Sequence, residues 1–187
     1  MEERELFDIL KLVTDFLNKE KIPYMIVGGI TLAYHGLPRT TEDIDILIFL
    51  EEHKIKKFAD FMEKNDFLIE EEEIKAALKE KSHFSVFDDK SIFRIDIKGV
   101  YDDLDRDSFS RRKNIHFMGL NLFINTPEDA IIAKLVFGSY RDLEDAKGII
   151  LRHGKDLDLN YMKDKCKKHK VLDKLEKILK DANNNNK

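Results

Sequence analysis

The sequence lacks most of the features that mark secreted and membrane proteins. It has a single cysteine, Cys166, so no intramolecular disulfide can form, and a lone thiol suits the reducing cytoplasm. No apolar run approaches the roughly 20 residues that a membrane-spanning helix requires. Nor does a signal-peptide pattern precede the first predicted helix. We therefore expect a cytoplasmic protein with no membrane partner.

The sequence also has no large excess of either charge. Its 33 Lys and Arg residues nearly balance its 37 Asp and Glu residues, and the formal net charge is −4. This balance argues against a protein that coats nucleic acid electrostatically. The P-loop, nucleophile-elbow and zinc-protease motifs are absent. Cys166-x-x-His169 lacks a second ligand pair, so zinc is not expected there.

The residues that are present suffice for a sizeable core, because 42% of the 187 residues are hydrophobic. Hydrophobic periodicity predicts both helices and strands. The helix predicted over 70–81 has few apolar anchors, and it is either an exposed helix or a cover for an active site. The other predicted helices span 3–20, 52–64 and residues from 127 onward, and the strands span 24–27, 43–49, 67–69, 83–87, 92–97, 115–118 and 120–124.

This order predicts an α/β (α+β) fold in which helices flank a mixed, twisted sheet and a helical subdomain follows. The core is expected over 1–125, a C-terminal helical part packed on it over 126–182, and a frayed tail over 183–187. Thr126 is the predicted N-cap of the first C-terminal helix, and Pro127 suits its first turn.

The acidic run Asp103-x-Asp105-x-Asp107 resembles the start of a calcium-binding loop. That motif also requires Gly at its sixth position and Glu at its twelfth. Here those positions are Ser108 and Asn114. We therefore reject a calcium site and predict a loop.

The most informative stretch is residues 24–48, which read as strand, diglycine, short helix, turn and second strand. Asp43 and Asp45 share one face of the second strand, because side chains alternate across a strand. Two carboxylates one pleat apart repel each other, and a hard divalent cation such as Mg²⁺ relieves the repulsion. Gly28 and Gly29 remove side chains at a strand-to-helix junction, where a phosphate could approach the backbone. The alternative is an Asp-x-Asp that only solvates a sheet edge.

Asp96 lies mid-strand in a second predicted hairpin, on the same face as Arg94 and Lys98. A third carboxylate would hold metal or accept the proton of a nucleophile. Its alternative is an ion pair with Arg94 or a nearby lysine across the hairpin.

Lys134 is the only charged residue of a predicted helix that is apolar on all sides, residues 130–137. A buried ammonium is costly unless it is paired or faces a cleft. Asp142 falls on the apolar face of the next helix, and either Lys134 or Arg141 is its candidate partner. A Lys134–Asp142 pair could either hold the two helices together or serve a site.

Gly28-Gly29 followed by the run from Arg39 to Asp45 resembles the signature of the polymerase-β-like nucleotidyltransferase superfamily. Lys134 and Arg141-Asp142-x-x-Asp145 are similar to the pattern of its AbiEii-like abortive-infection toxin group, with Arg in place of Lys at 141. The resemblance implies a nucleotidyltransferase-type sheet, Asp96 as the third carboxylate and Lys134 as a phosphate contact. The implied catalytic and metal residues are Asp43, Asp45 and Asp96, and the implied nucleotide-binding residues are Gly28, Gly29, Arg39, Thr41, Lys134 and Asp142.

The predicted function is therefore metal-dependent nucleotidyl transfer. With Mg²⁺ or Mn²⁺ as cofactor, the protein would move an NMP from an NTP to an acceptor hydroxyl of a small molecule, a tRNA end or a protein. Two alternatives stay open. One is a nucleotide-binding or toxin–antitoxin-type module with little turnover and a protein antitoxin as partner, and the other is a phosphohydrolase that uses the same acids on water.

Overall fold

The computed structural model describes residues 4–38 and 40–184. Its helices are α1 (Leu6–Lys19), α2 (Gly28–Tyr34), α3 (Glu52–Lys64), α4 (Glu71–Lys79), α5 (Asp103–Arg111), α6 (Pro127–Phe137), α7 (Tyr140–His153), α8 (Leu159–Lys168) and α9 (Leu172–Asn184). Its strands are β1 (Tyr24–Val27), β2 (Asp43–Ile48), β3 (Phe67–Leu68), β4 (His83–Asp88), β5 (Arg94–Gly99), β6 (Lys113–Phe117) and β7 (Leu120–Ile124).

The described strands form one seven-stranded sheet in the order β3-β4-β5-β2-β1-β7-β6. Strand β2 runs parallel to β5 and antiparallel to β1, while β1 runs parallel to β7. The sheet is therefore mixed, and the predicted fold class is confirmed. The two strands that carry the predicted carboxylates are neighbours near its centre.

The two faces of the sheet differ in what covers them. One face, with Ile44 and Ile46 of β2 and Ile95 of β5, packs in a hydrophobic cluster with α1, α3 and α4. A second cluster joins α6, α7, α8 and α9 and includes Leu32 of α2. The alternation of side chains along β2 and β5 leaves their acids on the face away from the first cluster. A division of the chain at residue 125 remains a prediction.

The loop predicted over 103–107 is wrong, because these residues open helix α5. Asp102 is its N-cap and accepts a hydrogen bond from the backbone N–H of Asp105 at 2.8 Å. The Asp105 carboxylate lies near the backbone N–H of Asp102 in return, at 3.4 Å. This reciprocal capping satisfies two N–H groups that would otherwise lack partners. The acids that resemble a calcium loop are therefore helix-start residues.

The predicted frayed tail lies only partly within the described residues. Helix α9 extends to Asn184, so residues 183 and 184 belong to it, and residues 185–187 lie outside the described part of the chain. In that described part, no helix is both long and apolar enough to cross a membrane.

Asp129 of α6 forms hydrogen bonds with residues of α5 and α8, and we expect its removal to destabilise the fold. It is 3% exposed, and it accepts hydrogen bonds from the Tyr161 hydroxyl at 2.6 Å and from Arg111 Nε at 3.2 Å. Asp129→Ala leaves both donors without this carboxylate, so the free energy of unfolding should fall by about 3 kcal/mol. Urea unfolding measures this change. Asp60→Ala, at an exposed ion pair with Lys56, is the control and should change stability little.

His35, the C-cap residue that follows α2, should make stability depend on pH. Burial first, and the nearby His153 second, lower the pKa of His35 to about 4 from its ordinary 6.5. Between pH 6.5 and pH 4, His35 is protonated in the unfolded chain but stays neutral in the folded chain. The free energy of unfolding therefore decreases as the pH falls from 6.5 towards 4. The loss attributable to His35 is about 3 kcal/mol at pH 4.

Urea unfolding at several pH values tests this, with His35→Gln compared with the wild type. The variant should be less sensitive to pH in this window, whereas His116→Gln, at an exposed contact with Asn121, should follow the wild type. Equal pH dependence of His35→Gln and wild type would contradict the assignment.

Candidate active site

The register of β2 and β5 brings the three predicted carboxylates together on one face of the sheet. Asp45 lies directly opposite Asp96, and Asp43 lies opposite Arg94. Asp43 and Asp45 are one pleat apart on β2, so both project to the same side as Asp96. The carboxylates are half-buried. The structure thus brings together residues that are separated by about 50 positions in the chain.

Gly28, the first residue of α2, lies against Asp45. Its φ is +69°, a backbone conformation that residues with a side chain rarely adopt. A Cβ atom added to it would stand 1.9 Å from Asp45 Oδ2, so the Asp45 side chain would have to move. The antiparallel pairing of Val27 with Asp45 causes this close approach. The backbone conformation and the close contact therefore both favour glycine here, and glycine places bare backbone beside a predicted catalytic carboxylate.

Gly29 has a different neighbour, Thr41 of the turn before β2. A Cβ atom on Gly29 would lie 2.8 Å from Thr41 Oγ1. The same hydroxyl donates a hydrogen bond to Asp43 Oδ1 at 2.7 Å. Thr41 therefore orients Asp43, and its predicted contact with nucleotide stays a prediction. Arg39, also predicted to bind nucleotide, lies outside the described residues.

Arg94 is a site residue that the sequence suggested only as an alternative partner of Asp96. Its Nε donates to Asp96 Oδ2 at 3.0 Å and its Nη2 to Asp43 Oδ2 at 3.1 Å. The hydrogen bond with Asp96, followed by the charges of the acids, raises the pKa of Arg94 above its ordinary value. Ser85 of β4 donates to the other oxygen, Asp96 Oδ1, at 2.5 Å. The Arg-x-Asp spacing in a strand is the signal that could have identified Arg94.

The donor set suits a hard divalent cation, because it consists of carboxylate oxygens on one face. In their present orientations, however, no three Asp, Glu, His or Cys side chains among residues 4–38 and 40–184 form a group ready to hold a metal ion. Arg94 engages one oxygen of Asp43 and one of Asp96. The carboxylate oxygens are therefore suitable ligands for a divalent metal ion, and Arg94 already contacts two of them.

A cavity of about 460 Å³ opens beside Asp45 and Asp96. Gly28 and the sheet form one wall, and residues of α5 and α6 form the other. Asn125 lines the cavity and is 4% exposed, and its Oδ1 accepts no hydrogen bond within the described part of the chain. The charged residues of the lining are Asp45, Asp96, Lys98, Asp105 and Lys134. The lining therefore offers both carboxylates and ammonium groups to a polar ligand of nucleotide size.

Lys134 lines this cavity and also makes the predicted ion pair. Its Nζ lies 2.7 Å from Asp142 Oδ1 and 3.0 Å from Asp145 Oδ2. Burial would raise the pKa of Asp142, but hydrogen bonds from Lys134 and Ser139 outweigh it and lower the pKa. The predicted pair is confirmed, and Asp145 joins it. Asp142 itself does not line the cavity, so its contact with a nucleotide stays a prediction.

The fold resembles those of solved nucleotidyltransferase structures. ANT(2'')-Ia in complex with adenylyl-2''-tobramycin matches with a TM-score of 0.56 and 10% identity, over 87% of this chain and 94% of that one. The lincosamide antibiotic adenylyltransferase LnuA, lincomycin-bound, matches with a TM-score of 0.53 and 15% identity, over 79% of this chain and 98% of that one. At these identities the likeness concerns the fold.

Sequence comparison assigns the family. A search of curated protein sequences finds no match. The family described as "Nucleotidyltransferase of unknown function (DUF6036)" matches residues 4–185, which is nearly the whole chain. With the carboxylate face and the glycine junction in place, the chain belongs to this family of nucleotidyltransferases.

Proposed function

We propose that the protein transfers an NMP group from an NTP to an acceptor hydroxyl in a reaction that depends on Mg²⁺ or Mn²⁺. One observation carries the proposal. Asp45 and Asp96 lie opposite each other in register, and the bare backbone of Gly28 touches Asp45 where the cavity opens. Membership of a nucleotidyltransferase family supports the same chemistry.

Asp43, Asp45 and Asp96 are the residues that would hold the metal. A bound divalent ion supplies neutralisation of phosphate charge and a template for the reacting groups. Thr41 and Ser85 support this assignment, because each donates a hydrogen bond to the carboxylate that it orients. Carboxylates held in this way need little reorganisation when a ligand arrives.

The remaining steps use the chain's own groups. Asp96 would accept the proton of the acceptor hydroxyl, whose oxygen then attacks the α-phosphorus while pyrophosphate leaves with the electrons of the broken P–O bond. Gly28 and Gly29 would let the triphosphate lie close to the backbone. Lys134 would contribute positive charge to the phosphates from the cavity wall while its ammonium also contacts Asp142 and Asp145.

The acceptor is proposed by comparison. Two proteins of similar fold are an adenylyltransferase of lincosamide antibiotics and one bound to an adenylylated tobramycin. ATP and a small-molecule alcohol are therefore the first substrates to test, before a tRNA end or a protein hydroxyl. The order Lys134, Asp142 and Asp145 supports kinship with the AbiEii-like toxin group, and hence a protein antitoxin as a partner to test.

Asp45→Asn should weaken metal-dependent nucleotide binding. The amide removes one negative charge and one metal-binding oxygen while keeping the shape of the side chain, so the fold should persist. Calorimetric titration of ATP with Mg²⁺ should show binding by the wild type and at least tenfold weaker binding by the variant. Asp60→Asn, on the exposed surface of α3, is the control.

Pyrophosphate release in the presence of a labelled acceptor would then distinguish transfer from other outcomes. Release of inorganic phosphate instead would indicate a phosphohydrolase, and binding without product would indicate a nucleotide-binding module. Equal ATP binding by Asp45→Asn and wild type would refute the carboxylate assignment.

Gly28→Ala should impair the same binding through Asp45. The new methyl group would overlap the Asp45 carboxylate and force it away from Asp96. We expect nucleotide affinity to fall at least tenfold, measured by the same titration.

Gly119→Ala is a matched control, because Gly119 also has a positive φ, +81°, but its added Cβ would meet nothing within 4 Å. Both variants carry backbone strain of about 1 kcal/mol. If both lose nucleotide affinity equally, strain rather than the contact with Asp45 is the cause, and the assignment of Gly28 is wrong.

A further inference from the structure

Three acids and one arginine form a compact square on the carboxylate face. Asp43 and Asp45 occupy two successive outward positions of β2, and Arg94 and Asp96 occupy the matching positions of β5. The square therefore contains three carboxylates and one guanidinium. Because like charges opposed on neighbouring strands destabilise a sheet, the arrangement requires positive charge when no metal is bound.

Arg94 supplies that charge from within the square. It donates to Asp43 and Asp96 at 3.1 and 3.0 Å, and each of these acids receives a further hydrogen bond on its other oxygen, from Thr41 and Ser85 respectively. All four oxygens of Asp43 and Asp96 thus accept a hydrogen bond from a protein side chain. The guanidinium therefore engages carboxylate oxygens of the two acids that would hold a metal ion.

Arg94 can leave this position without disturbing the core. Its side chain is 43% exposed, while the neighbouring residues Phe93 and Ile95 turn towards the hydrophobic cluster. A long side chain at the surface changes rotamer in nanoseconds, so solvent gives the guanidinium a place to move. The pair is therefore an exchangeable contact rather than part of the packed interior.

We propose that Arg94 is an internal counter-cation that competes with the divalent metal ion for Asp43 and Asp96. In the metal-free protein it neutralises the carboxylates and keeps them aligned. When a divalent ion binds, the guanidinium is displaced towards solvent, so the cost of that displacement sets the metal affinity. This inference rests on the proposed function, because it takes the three acids as the metal ligands.

Titration of Mn²⁺, followed by the electron paramagnetic resonance signal of the free ion, tests the competition directly. Arg94→Gln removes the competing charge and should bind Mn²⁺ about tenfold more tightly than the wild type. Arg94→Lys keeps the charge but replaces the forked guanidinium with a single ammonium, and its affinity should fall between the two.

Thermal unfolding provides a second readout that does not depend on catalysis. Without metal, Arg94→Gln should melt below the wild type, because Asp43 and Asp96 lose their counter-cation. Added Mn²⁺ should raise its melting temperature by more than that of the wild type, since tighter binding to the folded state stabilises it further. A purely structural arginine would lower stability and leave the Mn²⁺ affinity unchanged or weaker.

The control is Arg106→Gln, which removes the same charge from an exposed ion pair with Asp103 on α5. It should leave Mn²⁺ affinity unchanged. Equal tightening by Arg106→Gln and Arg94→Gln would show a general charge effect and overturn the proposal. Mn²⁺ binding by folded Arg94→Gln that is unchanged or weaker than that of the wild type would also overturn it. If Arg94→Gln fails to fold, unchanged or weaker Mn²⁺ binding by Arg94→Lys overturns the proposal instead.

Asp45→Asn separates the failure of this inference from the failure of the proposed function. If Asp45→Asn loses Mn²⁺ binding but Arg94→Gln does not gain it, the metal site stands and only the competition is refuted. If Asp45→Asn binds Mn²⁺ like the wild type, or if neither the wild type nor Arg94→Gln binds it, the metal site itself is wrong and both proposals fall.

Discussion

The parallel register of β2 and β5 is the constraint on which the rest of the site depends. It sets Asp45 opposite Asp96 and Asp43 opposite Arg94, so three negative charges and one positive charge share a small area of sheet. A shift of one residue would turn the acids into the hydrophobic cluster and expose the isoleucines. Burial of Ile44, Ile46 and Ile95 therefore fixes the position of the acids.

The glycine junction and the helices complete what the strands begin. Gly28 allows the start of α2 to lie against Asp45, and Gly29 leaves room for Thr41, which orients Asp43. Helices α5 and α6 then close the other side of the cavity and contribute Asp105 and Lys134 to its lining. Helix α6 thus serves the site as well as the second hydrophobic cluster.

Several local features could be predicted because their signals are local. The N-cap at Thr126, the helix that begins at Pro127 and the hairpin of β4 and β5 follow from capping chemistry and from period-two alternation. The sequence predicts a loop where helix α5 begins, because the alternating acids Asp103, Asp105 and Asp107 resemble a metal-binding loop more than the start of a helix. The reciprocal capping of Asp102 and Asp105 becomes clear only when the backbone geometry is known.

Pairwise contacts between distant parts of the chain could not be predicted with the same certainty. The sequence suggested that Lys134 needs an acid, but the participation of Asp145 depends on how α6 and α7 pack. The sequence suggested Arg94 as one partner of Asp96, but it could not show that the same guanidinium also contacts Asp43. Nor could it show that Asn125 is buried beside the cavity with an Oδ1 atom that accepts no hydrogen bond from residues 4–38 or 40–184.

By itself, the sequence determined the strand-glycine-helix-strand order, the shared face of Asp43 and Asp45 and the class of chemistry that their spacing favours. These properties depend on residues within about one element of each other, where alternation and turn preferences act directly. Only the tertiary structure decided that Asp45 meets Asp96, that Gly28 touches Asp45 and that Arg94 bridges two acids. Strand register and helix packing set these contacts, and both arise from burial across the whole chain rather than from any single segment.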